Sequence, residues 1–96
     1  MNVDQDVLIE LRDQVISSAM PLVEDQSLPA EKRFSMLMTI IEADPSIDLL
    51  RKAFSVAQSI ESPVVRADAL LDVVDEIDLL LEASTVVEPS TEIVEA

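Results

Sequence analysis

Apolar residues return every three or four positions along most of this chain, the spacing that lines one face of an α-helix. The clearest case lies between Ser62 and Ala83. There Leu70, Val73, Val74, Ile77, Leu80 and Leu81 share one stripe, while Asp68, Asp72, Asp75, Glu76, Asp78 and Glu82 fall on the other side. This pattern predicts a helix over 63–83 with an apolar core face and an acidic outer face.

Upstream, Val3, Val7, Leu8, Leu11, Val15, Ile16, Ala19, Leu22 and Val23 predict a first helix near 4–25. Pro21 removes a backbone donor, so this helix either stops near Met20 or continues with a kink. Ser27-Leu28-Pro29 reads as a cap followed by proline in the first turn of a second helix, 29–43. Phe34, Leu37, Met38 and Ile41 form its stripe, widened by Met36 and Ile40, which marks it as the central helix. Its methionines read as gap-filling core residues or as a Met-rich groove. Asp44-Pro45 repeats the device, with Asp44 as cap, and opens a third helix to Ile60, with Leu50, Ala53, Phe54, Ala57 and Ile60 inward. Leu37, Ile41, Phe54 and Leu70 are expected among the most buried side chains. Short junctions favour antiparallel neighbours. The expected fold is all-α: four antiparallel helices in a small helical bundle or a short array of helical hairpins.

The helical pattern fades from Ser84. STVVEPSTEIVEA mixes β-branched residues, glutamates and a proline. The reading is a helical domain over 1–84 and a flexible acidic tail over 85–96, either a solubilising end or a docking peptide.

Composition sharpens this picture. The formal net charge is −14, yet 49% of residues are apolar and the mean hydropathy is +0.31, so the bulk of the chain is too apolar for an acidic disordered protein. Such a surplus in a 96-residue chain implies burial on more than one helix face, supplied in part by a partner or a second copy. Glycine is absent, which argues against hairpins and phosphate loops. No uncharged stretch approaches the roughly 20 residues needed to cross a bilayer, and the N-terminus lacks signal-peptide character. A cytoplasmic protein with no membrane association is expected.

The missing residue types exclude much chemistry. With no histidine, cysteine, tryptophan or tyrosine, histidine- and cysteine-based nucleophile systems and thiolate or imidazole metal sites are unavailable. Asp68, Asp72, Asp75 and Glu76 could face a hard cation, but without the glycine turn of a calcium loop they read as a solvated acidic face. No enzyme activity, metal or cofactor is expected. Six basic residues against 20 acidic ones disfavour nucleic acid. Expected surface ion pairs are Arg51 with Asp48 and Lys32 with Asp25.

An internal repeat is present at an offset of 33. Arg33-Phe34-Ser35-Met36-Leu37-Met38-Thr39-Ile40-Ile41 aligns with Arg66-Ala67-Asp68-Ala69-Leu70-Leu71-Asp72-Val73-Val74. Periods of this length belong to stacked helical hairpins. Over about 29–83 the chain resembles the tetratricopeptide-like repeat family. Phe34, Leu37, Met38 and Ile41 stand at the signature places of its first helix, and Leu50, Phe54, Ala57 and Pro63 at those of its second. Met38 and Leu50 replace small residues, the usual glycine is missing, and the proline comes one residue late. The resemblance implies a non-catalytic interaction scaffold with a concave peptide-binding face.

The function expected is a non-enzymatic protein–protein interaction module, a small acidic adaptor or regulatory subunit. The alternatives are an acidic inhibitor or immunity-type protein, covering a basic site or mimicking nucleic acid, and a self-associating module. Asp68, Asp72, Asp75, Glu76, Met36 and Ile40 are the candidate partner-binding residues. The expected partner is a protein, basic where the acidic face meets it, and a homodimer is the reading for self-association.

Overall fold

A computed structural model describes the backbone of residues 3–95 and the side chains of residues 3–83. It is a small all-α bundle of four helices, with no strand among the described residues: α1 (Gln5–Val23), α2 (Ala30–Ala43), α3 (Ile47–Gln58) and α4 (Pro63–Glu95).

Helix α1 starts at Asp4, whose carboxylate accepts a 2.9 Å bond from the Asp6 N–H. It runs through Pro21 and ends two residues later at Val23. The Glu24 and Asp25 N–H groups then reach the carbonyls of Pro21 and Leu22, three residues back, which tightens the end into a turn. The expected serine cap of α2 is not formed. Ser27 instead donates through both its backbone N–H and its hydroxyl to the Asp25 carboxylate, at 2.9 and 2.7 Å, which holds the junction as an Asx turn. Pro29 takes the N-cap position of α2 without a side-chain bond.

At the next junction the cap is Ser46, not Asp44. Its hydroxyl accepts from the Leu49 N–H at 3.4 Å, while the Asp44 N–H closes α2 by donating to the Ile40 carbonyl. Either polar residue can cap beside Pro45, and here one ends a helix while the other starts the next. At Ser62-Pro63 the expected device forms, with the Ser62 hydroxyl accepting from the Val65 N–H at 3.3 Å.

Helix α4 departs most from expectation, continuing to Glu95 where an end near Ala83 was expected. No glycine offers the left-handed cap that commonly ends a helix. Pro89 does not end it within the described backbone. The side chains of the tail beyond Ala83 lie outside the described residues.

The core is built around α2. Leu37 and Ile41 are fully buried, joined by Phe34, Ile40, Val23, Ala53, Ala57, Ile60, Ala69 and Val73. Ala53 and Ala57 let the α2 and α3 backbones come close, because neither holds the helices apart with a long side chain. Helix α2 packs against α1, α3 and α4, whereas α1 approaches α2 alone and α4 never returns to α1. The bundle is therefore open at both ends. Its radius of gyration is 16.8 Å, against about 12–13 Å for a compact chain of this length. Its accessible surface of 7104 Å² exceeds the roughly 5,400 Å² of a compact monomer of the same mass.

The repeat at offset 33 has a physical counterpart. Buried Arg33, near the start of α2, donates from Nε to the Leu28 carbonyl at 3.1 Å. Arg66, at the same place in α4, donates from its guanidinium to the Ile60 carbonyl at 2.9 Å. Each arginine folds back to satisfy a carbonyl of the junction before its helix, which fixes how the chain enters that helix.

Candidate functional site: an apolar groove between α3 and α4

Two core expectations are corrected by the third and fourth helices. Phe54 is 49% exposed and Leu70 is only half-buried. The cause is register. Ala53 and Ala57 take the buried positions of α3, and Phe54 is rotated by about 100° from Ala53 and about 60° from Ala57. It points to the side of α3 that faces along α4.

There Ile47, Leu50, Arg51 and Phe54 of α3 meet Leu70, Val73, Val74, Ile77, Leu80 and Leu81 of α4 around a groove of about 710 Å³. The α4 residues are the stripe that reads as a core face in the sequence. Val73 is buried, yet Val74 and Ile77 stay 49% and 39% exposed, because no further element among the described residues covers them. Arg51 is the one polar residue of the lining. On the helical repeat Asp78 and Glu82 stand at the outer edge of the stripe, and both are exposed.

The six residues expected to meet a partner are not brought together. Asp68, Asp72 and Asp75 are exposed on α4, and Glu76 is half-buried. Met36 is half-buried on α2, and Ile40 is only 4% exposed. Ile40 is thus a core residue in this fold, because α2 is covered from several sides. The acidic face is also less uniform than expected, since Leu71 and Leu79 are exposed on α4 as well. Neither Phe54 nor Ile77 was among the expected partner-binding residues. The signal was present, in that each end of the bundle holds a helix with an apolar stripe and no neighbour, but the stripe alone does not reveal which helix lacks cover.

A second, smaller cleft of about 180 Å³ lies among Val23, Glu24, Gln26, Arg33, Leu37, Lys52, Ser55 and Val56. Across it the Lys52 ammonium pairs with the Glu24 carboxylate, tying the end of α1 to α3. This contact holds the Glu24 carboxyl below its ordinary range, first through the hydrogen bond from Lys52 and then through its charge. The bonds from Ser27 likewise lower the Asp25 carboxyl. The pairs expected between Arg51 and Asp48 and between Lys32 and Asp25 are absent among the described residues. Lys52 reaches Glu24 because packing α3 on α2 brings it to the end of α1.

Among the described residues no group of three or more acidic side chains is placed to hold a metal ion. No described helix is long and apolar enough to cross a membrane. Comparison with protein-family models, with curated proteins and with solved structures gives no match for this chain.

Proposed function

We propose that the protein is a non-enzymatic interaction module, a small acidic adaptor or regulatory subunit that docks a protein partner in the groove between α3 and α4. The observation that carries this reading is the exposure of Phe54, Val74 and Ile77 together in one concave apolar surface of about 710 Å³. Large apolar side chains grouped in a concavity mark docking sites far more often than the same residues scattered singly. The acid-rich exterior supplies a field that favours basic partners and speeds their approach. The resemblance to helical-hairpin repeats agrees with a scaffold role, and the exposed row of Asp68, Asp72 and Asp75 supports the inhibitor alternative.

The test is the identity of proteins retained from host extract by three immobilised chains: wild type, Phe54→Asp, and Val15→Asp on the far side of the molecule. The expected result is one identified partner kept by wild type and by Val15→Asp and lost with Phe54→Asp, all three having the same helical circular dichroism. Retention indifferent to Phe54 would overturn the reading.

A further inference from the structure

The groove occupies the place where a following helix would lie. In register with the repeat, Leu37, Ile40 and Ile41 of α2 correspond to Leu70, Val73 and Val74 of α4. In α2, covered by α1, α3 and α4, these three positions are 0%, 4% and 0% exposed. In α4, which packs only on α2 and α3, Val73 is still buried, but Leu70 is half-buried and Val74 half-exposed. Among the described residues no later element turns back to cover them. Asp44-Pro45 ends α2, whereas the corresponding Ile77-Asp78 has no proline and α4 continues to Glu95. The tail backbone thus leads onward as helix and does not enter the groove.

Resting on the docking function proposed above, we infer that the groove takes one amphipathic helix from another protein, about three turns long, with lysine or arginine along the edge that meets Asp78 and Glu82. The lining dictates the helix. Apart from Arg51, its walls are apolar side chains from two helices whose backbones are already paired, so an extended peptide would find no backbone partners there. Only a segment that satisfies its own backbone can sit in it. From Leu70 to Leu81 the α4 wall runs about 16 Å, which sets the length at about three turns. Charge then selects the occupant. Asp78 and Glu82 continue the i+4 row of Val74 just outside the lining, on the open side of α4; the one charge within the lining, Arg51, stands on the α3 wall, and the chain carries −14 overall. A second copy is disfavoured on the same ground. Its exposed apolar helix, α1, presents Val7, Leu11 and Val15 flanked by Asp6 and Glu10 on one side and by the single cation Arg12 on the other, and a second copy brings a further −14 against the acidic edge.

The full chain is titrated with labelled peptides of about 18 residues carrying apolar side chains at helical spacing, edged with either lysine or glutamate. The lysine-edged peptide should bind about tenfold or more tighter, with the preference shrinking as salt rises. Asp78→Lys with Glu82→Lys should reverse the preference, while Phe54→Asp, and separately Ile77→Asp, should abolish binding of both peptides with helical content unchanged. Equal affinity for the two peptides, no binding of either, or equal binding of a proline-interrupted version overturns the inference. Phe54-dependent binding of the glutamate-edged or proline-interrupted peptide would leave the docking function standing and remove only the basic helix. Host-partner retention that ignores Phe54 would remove the docking function itself. A homodimer by sedimentation that dissociates on Phe54→Asp would give the groove to a second copy, and so also overturns the inference.

Discussion

Leu37→Ala and Phe54→Ala separate the two environments that apolar residues meet in this fold. Leu37 is fully buried, and its truncation should cost about 2–5 kcal/mol. Phe54 is half-exposed, and its truncation should cost about 1 kcal/mol or less, as for a surface substitution. Urea unfolding of the two variants measures both, and a larger loss at Phe54 would place it in the core after all. The ion pair between Glu24 and Lys52 gives a pH-dependent test. The Glu24 carboxyl is lowered in the folded chain, so its contribution is present above the unfolded value and is lost as pH falls through the folded one. Glu24→Gln should therefore lower stability at neutral pH, and its difference from wild type should vanish below the carboxylate range. Both partners are open to solvent, so added salt should shrink the difference at neutral pH too. Denaturant midpoints of the two proteins across pH and salt provide the check, and a difference that persists in acid would mean that the pair is not its source.

At the scale of the elements, the caps and the paired arginines decide where each helix begins. Ser46→Ala and Ser62→Ala should each cost about 1 kcal/mol. Asp44→Ala should cost less, since only its backbone N–H takes part in closing α2. Thermal unfolding of the three variants ranks them. Arg33→Leu leaves the Leu28 carbonyl without its donor and should cost about 1–3 kcal/mol, read from denaturant midpoints. The helices themselves were legible, because periodic apolar residues and X-Pro junctions act over a few residues. Which polar residue caps was less legible at the second junction, where Asp44 and Ser46 flank Pro45 and local chemistry suits either. The end of α4 was misread, because β-branched residues and a proline lower helix propensity without supplying a stop.

For the whole molecule, openness is the dominant property. Helix α4 extends about 50 Å, which accounts for most of the 55 Å length of the molecule. So apolar a surface needs charge to stay in solution. Changing Asp68, Asp72 and Asp75 to asparagine and Glu76 to glutamine should leave the helical circular dichroism unchanged and lower solubility in precipitant titrations. If solubility holds and a partner associates about tenfold more slowly, the acid row is itself a steering surface.

The sequence by itself determined the all-α class, the helices and their apolar stripes, the arginine repeat and the acidic exterior. Each depends on neighbours within a turn or two, or on composition. Only the tertiary structure decided that Ile40 is core while Phe54 and Ile77 stand open, and that Lys52 finds Glu24. An apolar stripe states that a helix face must be covered, not by what. Two stripes at matching positions of the repeat, on α2 and α4, meet opposite fates because α2 has helices on several sides and α4, among the described residues, has none beyond it. That difference is a matter of chain path, and it is what turns a core-like stripe into a groove.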